Sequence, residues 1–429
     1  MKPIQEQEEV TSNDSGFDEL QCSESLSVSP TFHIQSSSLS IMEHHPHQHL
    51  QPPPPRQQQP EERSPLVESG RLTYYSEMRK RKVLYTPVRE LGAGAFGTVY
   101  RCVDSESPDA VAIKYIRIHD AVDGIPQWAL REIALLRRCS SRHPNIISLL
   151  DMHCRLIDGK RCDIHLILEF CDMDLKQYIG AVTQRNGLVG LESKLIKELM
   201  YQMLQGLDFL HVIAVAHRDI KPQNVLMKKG VIKIADFGLG KVMFERAPVS
   251  LEVVTLHYRP PEVLLNVNYS LAVDIWSIGC IFAEMCNNKV LLSGDSELNQ
   301  LKIIFSVLGI PKQEDWPQNC SVGREFFLGS ADRSAGFFDD FSNHVGMLGV
   351  DLLKNMLKFN PAQRHSTFSA LRHDYFKGHI SSVVYMEDPP TPALSHFGLV
   401  ERGQISPTPP STKLTNSPPS DLCRQMRGL

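Results

Sequence analysis

A glycine-rich turn that runs straight into a strand pattern is the feature that most limits what this chain can be. Gly92-Ala93-Gly94-Ala95-Phe96-Gly97 is followed at once by Thr98-Val99-Tyr-Arg-Cys-Val, a β-branched, alternating stretch. Glycines let a backbone approach phosphates and aim its N–H groups at them. In dinucleotide-binding folds the last glycine opens a helix, with an acidic residue about 20 positions on. A strand follows here instead, which favours a glycine-rich hairpin. Leu91, Gly92, Ala93, Gly94, Ala95, Phe96, Gly97, Thr98 and Val99 are therefore candidate contacts to a nucleotide.

The texture around this turn predicts two subdomains. Tyr85 to Tyr115 reads as strands and hairpins. Helical periodicity follows in WALREIALLRRC, LIKELMYQMLQGLDFLH, DIWSIGCIFAEMC and VDLLKNMLKF. A strand-rich start and a helix-rich remainder imply an α+β chain with two cores and a cleft between them. The flanks differ. Residues 1–83, rich in Ser, Gln, Pro and His, and residues 377–429, rich in Pro and Ser, are expected to be disordered tails. The run Arg79-Lys80-Arg81-Lys82 is either solvated charge or a nuclear import signal. The chain is 42% hydrophobic with a net charge of −4, so no nucleic-acid or membrane partner is expected. No apolar run is long enough to span a bilayer, and the ten cysteines form no CxxC pair.

Four further motifs supply a reaction. Lys114, in Val-Ala-Ile-Lys, follows the glycine turn, and Glu132 lies in the amphipathic segment ALREIALL, where it would pair with that lysine. His217-Arg218-Asp219-Ile-Lys221-Pro-Gln-Asn224 follows a helix pattern, and Asp236-Phe237-Gly238 comes soon after. Phosphoryl transfer needs a carboxylate to take a hydroxyl's proton, hard oxygen ligands for Mg²⁺ and cations for phosphate charge. Asp219 fits the base, Asn224 and Asp236 the Mg²⁺ ligands, and Lys221 and Lys114 the cations that neutralise phosphates.

With those residues in that order, the chain resembles a eukaryotic protein kinase between about 84 and 376. The resemblance implies a two-lobed fold, with a small lobe at 84–171 and a larger helical lobe at 172–376. Pro260-Pro261-Glu262, Asp274-Ile-Trp276 and Arg364 stand where the family has its later markers, Arg364 pairing with Glu262. By register within LILEFCDMDL, Leu168 would be the gatekeeper, and Glu169 to Cys171 the hinge that contacts adenine. The pattern is similar to the cyclin-dependent kinases, above all the D-type-cyclin-dependent (4/6) subgroup, through GAGAFGTVYR, RRCSSRHPNIISLLDMHC and FNPAQRHSTFSALRHDYF.

That resemblance implies a cyclin partner facing Ile125, Pro126 and Trp128, which would rotate Glu132 inward onto Lys114. It implies an activating phosphosite at Ser250, with Arg131, Arg218 and Lys241 receiving the phosphate. It implies protein substrates with Ser/Thr-Pro sites, retinoblastoma-type proteins among them, a role in G1, and residence in nucleus and cytoplasm. In relatives, the second valine of Glu252-Val253-Val254-Thr255 adopts a strained backbone that favours proline after the target residue. Four departures stand out: Phe96 for a regulatory tyrosine, Lys241 for arginine, His257 for tryptophan, and Gly240 for an alanine, which is expected to loosen the start of the activation segment. Two other readings are a cyclin-independent, proline-directed kinase of the mitogen-activated type, which would carry Thr-x-Tyr where this chain has Ser250-Leu-Glu252, and a kinase-like scaffold.

Overall fold

The computed structural model describes residues 72–76, 79–94, 97–105, 107, 109–119, 124–157, 160–243, 254–318, 320, 322–329 and 335–379. All belong to one compact unit, Glu62–Leu429. The tail expectations before 72 and after 379 lie outside the described residues.

The small lobe is a six-stranded antiparallel sheet in the order β1-β2-β3-β4-β6-β5. The strands are β1 (Leu72–Ser76), β2 (Arg81–Gly94), β3 (Gly97–Asp104), β4 (Ala110–Ile118), β5 (Leu149–Ile157) and β6 (Arg161–Glu169). β1 and the opening of β2 precede residue 84, where the small lobe was expected to begin. β1 pairs with the first residues of β2 from Ser76↔Arg81 to Leu72↔Tyr85. The run Leu-Thr-Tyr-Tyr-Ser alternates half-buried and exposed side chains, and that pattern extends the sheet into the Ser- and Pro-rich stretch. The basic run is therefore built into this hairpin, and Arg79 forms an ion pair with Asp104 at the end of β3.

Period two sorts β4. Ala112 and Lys114 face the cleft, while Val111, Ile113 and Tyr115 join a second apolar cluster with Val83, Tyr85, Tyr100, Cys102 and Ile167. Helix α1 (Gln127–Cys139) crosses the sheet. Its buried stripe is Ala129, Glu132, Ile133, Leu135, Leu136 and Cys139, a helical spacing into which one carboxylate has been set.

The large lobe holds β7 (Met173–Asp174), α2 (Leu175–Asn186), α3 (Ser193–Val212), β8 (Val215–Ala216), β9 (Val225–Lys228), β10 (Val231–Ile234) and β11 (Lys241–Val242). Then come α4 (Pro261–Leu264), α5 (Ala272–Asn287), α6 (Glu297–Leu308), α7 (Asp339–Met356) and α8 (Thr367–Leu371). Asp174 caps α2 by accepting from the Gln177 N–H at 2.8 Å. Every residue of α5 from Val273 to Cys286 is buried, so this helix is the spine of the large-lobe core. The fold is α+β with a sheet-built small lobe and a helical large lobe, as the sequence implied.

Candidate active site

A cavity of about 430 Å³ opens between the lobes. Leu91, Gly92, Ala93, Gly94, Gly97 and Val99 line its roof, with Ala112 and Lys114 beside them. Thr98 does not line it, because alternation on β3 turns Thr98 away while Gly97 and Val99 face in. Ala95 and Phe96 lie outside the described residues. Gly97 has φ +125°, and a Cβ there would sit 2.3 Å from the Tyr115 carbonyl oxygen, so only glycine fits. At Gly92 and Gly94 a Cβ would meet nothing, which leaves open space over the cavity.

Leu168, Glu169 and Cys171 line the cavity where the lobes join. The Glu169 carboxylate is fixed by Lys228 and Lys233 at 2.9 Å each and by the Ser148 N–H at 2.9 Å. Burial would raise its pKa, but hydrogen bonds from the two lysines hold it below the usual range. Burial pushes the Cys171 thiol up to about 12.

The Lys114 ammonium lies 2.6 Å from Glu132 and 3.1 Å from Asp236. Burial disfavours the lysine's charge, yet the two carboxylates outweigh it and raise its pKa. Burial likewise opposes ionisation of Asp236, and Lys114 reverses that and holds the carboxyl below its ordinary range. The Lys114–Glu132 pair was expected to close when a partner turned α1 inward. It is closed in this chain alone. Glu132 is 1% exposed on the apolar stripe of α1, and an unpaired carboxylate there would be costly.

Asp219 and Asn224 sit on the loop between β8 and β9. Asn224 Nδ2 donates to the Asp219 carbonyl at 2.8 Å and to its carboxylate at 2.9 Å. Lys221 Nζ donates to the same carboxylate at 2.8 Å. The Thr255 hydroxyl donates to the other Asp219 oxygen at 2.6 Å and accepts from Lys221 at 3.1 Å. Sequence reasoning placed Thr255 only in the stretch that resembles the family's substrate platform and missed its contact to Asp219, 36 positions away. The loop is braced from below by Asp274. This fully buried carboxylate accepts from the backbone N–H groups of His217 and Arg218 at 2.9 and 2.8 Å, and its ring partner His211 lies at 3.1 Å. Burial opposes its ionisation, but the His211 hydrogen bond and the neighbouring charges keep it ionised. Asn224 and Asp236 both line the cavity, one amide oxygen and one carboxylate, a donor set of hard oxygens that suits Mg²⁺. Lining residues absent from the sequence reading include Asp172, Asp174, Gln177 and Gln223.

The three cations expected to receive a phosphate do come together. Burial and the charges of Arg218 and Arg131 lower the Lys241 pKa, and burial and Arg218 lower that of Arg131. Arg218 is anchored by the Leu239 carbonyl at 2.7 Å and the Tyr269 hydroxyl at 2.8 Å. Ser250 itself lies outside the described residues. Gly240, expected to loosen the start of this segment, lies close against α1. A Cβ there would approach Leu135 Cδ1 to 2.6 Å, so glycine permits close packing of the segment against α1. His257 fills its position with a ring nitrogen 3.1 Å from the Gly294 carbonyl. Val254 has φ +68°, and its carbonyl accepts from Arg259 Nε at 3.0 Å. Ile125 and Trp128 are half-buried and pack against the main core, while Pro126 caps α1. Arg364 grips Glu262 with two nitrogens at 2.8 and 3.0 Å, and its guanidinium lies over the Trp276 ring.

Residues 85–376 match the protein kinase domain. Cyclin-dependent kinase 4 of Xenopus laevis is 41% identical over 300 residues, which cover 70% of this chain and 92% of that protein. Cyclin-dependent kinase 4 of Mus musculus is 42% identical over 296 residues, 68% of this chain and 95% of that protein. The counterpart of Bos taurus is 41% identical over the same length and coverage. The chain is thus a protein serine/threonine kinase, and it belongs to the cyclin-dependent kinase family, close to the 4/6 subgroup.

Proposed function

We propose that this kinase pairs with a D-type cyclin, phosphorylates Ser or Thr followed by Pro in retinoblastoma-type proteins, and drives G1 progression, working in nucleus and cytoplasm. ATP binds under the glycine turn, with Mg²⁺ held by Asn224 and Asp236. Lys114, fixed by Glu132, positions the phosphates. Asp219 orients the substrate hydroxyl and takes its proton as the phosphoryl group leaves ADP, and Lys221 neutralises charge on the transferring group. Mg²⁺ held by Asn224 and Asp236 would supply neutralisation of phosphate charge.

The observation that carries the specificity is Val254. A β-branched residue at φ +68° turns its carbonyl onto Arg259 and away from an incoming peptide. An ordinary residue after the target would leave its N–H unpaired there, whereas proline has no N–H to lose. The partner and cell-cycle role rest on likeness to proteins named cyclin-dependent kinase 4.

The test is an assay of the purified chain with Mg-ATP and a retinoblastoma-type fragment, with and without a D-type cyclin, beside Asp219→Asn. Activity that needs the cyclin and falls about 10³-fold in the variant is expected, within the range for a lost general base. Equal activity without cyclin would sink the cyclin assignment. A Ser-Ala peptide turned over as well as its Ser-Pro twin would sink the proline preference.

A further inference from the structure

We infer that the strand preceding the kinase domain, β1, is a built-in brace of the small lobe, and that Tyr74 on it is a positioning residue for nucleotide binding by Lys114. The inference rests on the reading of Lys114 as the phosphate-binding lysine.

The matched kinase domain begins at residue 85, so β1 and the opening of β2 lie before it. β1 is nonetheless laid into the sheet by five register pairs with β2, and it also touches β5, the strand at the opposite end of the sheet order. The strand therefore lies against both ends of the sheet, paired to β2 and in side-chain contact with β5 through Tyr74 and His153. Its alternate residues Leu72 and Tyr74 pack on the second apolar cluster, over Val83, Tyr85 and Tyr115. Two anchors hold the hairpin in place. Arg79 pairs with Asp104, and the Ser105 N–H donates to the Leu84 carbonyl at 2.9 Å.

Tyr74 reaches across this cluster. Its hydroxyl lies 2.7 Å from His165 Nδ1, and its ring stacks on His153 with centroids 4.1 Å apart. His165 in turn stacks on Tyr115 at 4.6 Å, and the two are register partners on β6 and β4. Tyr115 is the neighbour of Lys114, so the chain of contacts ends on the backbone that carries the nucleotide lysine. Burial, with His153 and Arg155 adding to it, pushes the His165 imidazole down to about 3. The ring is therefore neutral, and its Nδ1 shares one hydrogen bond with the phenol. His165 Nε2 is buried with no hydrogen-bond partner among the described residues. The Tyr74 bond and the flanking rings are what fix this imidazole. On the cleft side of the same strand, Lys114 must hold its ammonium 2.6 Å from Glu132. A β4 that shifts on its outer face displaces that ammonium on the inner one.

The experiment compares Tyr74→Ala and Tyr74→Phe with the wild-type full chain in complex with a D-type cyclin. Steady-state KM for ATP, kcat, and hydrogen exchange of the β4 amides from Ile113 to Ile116 are measured. Tyr74→Ala is expected to raise KM about tenfold with kcat within about twofold, the scale of one lost buried hydrogen bond. It also speeds β4 exchange. Tyr74→Phe keeps the ring contacts but removes the hydroxyl that meets His165, and is expected to keep most of the KM rise while exchange of β4 speeds less than in Tyr74→Ala. Unchanged KM and unchanged β4 exchange in Tyr74→Ala would overturn the inference. So would a proportional fall in kcat, which marks general loss of folded protein. Lys114→Met separates this from the parent reading. If that variant binds Mg-ATP as well as the wild type, the role of Lys114 is wrong, and β4 exchange alone then decides whether β1 braces the lobe.

Discussion

The two lobes protect their key charges in different ways. In the large lobe, Asp274 sits on α5, a helix buried along its length, and accepts from the His217 and Arg218 backbone, while Arg364 donates to the Ala272 carbonyl at the start of that helix. In the small lobe, Lys114 sits on a sheet whose outer face is closed by aromatic and imidazole rings, and its partner Glu132 rides on a single helix. The difference teaches where each lobe yields. A loss in the large lobe is a loss of the whole fold, whereas a loss in the small lobe is a change of alignment.

The comparison is broken most sharply at Arg364. Arg364→Ala leaves the Glu262 carboxylate buried, 3% exposed, without its bidentate partner. Global stability is expected to fall by about 3–5 kcal/mol in urea unfolding. A fall below about 1 kcal/mol would mean the large lobe is as adaptable as the small one.

Acid sharpens the comparison from the other side. His165 titrates near 3 in the folded chain and near 6.5 when unfolded. Below pH 6.5 the unfolded chain binds a proton that the folded chain refuses, so stability falls as pH falls, by about 1.4 kcal/mol per unit until about pH 3. Tyr74, Tyr115, His153 and Arg155 face this ring. Between pH 7 and pH 5 His165 therefore contributes a loss of about 2 kcal/mol. The expected readout is lower protection of β4 and β6 amides at pH 5 than at pH 7, after correction for the intrinsic exchange rate at each pH, with that slope absent in His165→Phe. An identical pH slope in wild type and variant would refute it.

The smallest effect is at the joint between lobes. Gly240→Ala pushes a methyl group against Leu135 of α1. The tip of a leucine can give way, and the expected loss is about 1 kcal/mol in thermal unfolding. A more stable variant would show that glycine is not there for packing.

What the sequence made legible were the groups whose chemistry dictates residue type. Asp219, Lys221, Asn224 and Asp236 stand close together because each role admits few side chains at few spacings, and Lys114 and Glu132 meet as that logic requires. The fold class followed from periodicity. β1 was missed because Leu-Thr-Tyr-Tyr-Ser is short and abuts a Ser- and Pro-rich stretch, and its reason for being a strand lies in Val83, His153 and His165. The close packing at Gly240 went unseen for the same kind of reason. Its close neighbour, Leu135, is 105 positions earlier, and no local pattern reveals that contact. The closed Lys114–Glu132 pair follows from burial, which a sequence does not display.

Cys171, at the lip of the nucleotide cavity, looks like a handle for covalent chemistry. Its thiol titrates near 12. At neutral pH only about one molecule in 10⁵ would carry the nucleophilic thiolate. An adenine-like electrophile placed beside it would therefore alkylate slowly and act as a reversible ligand. Selective occupancy of this pocket then rests more on shape, with Leu168 among the side chains that line it, than on bond formation.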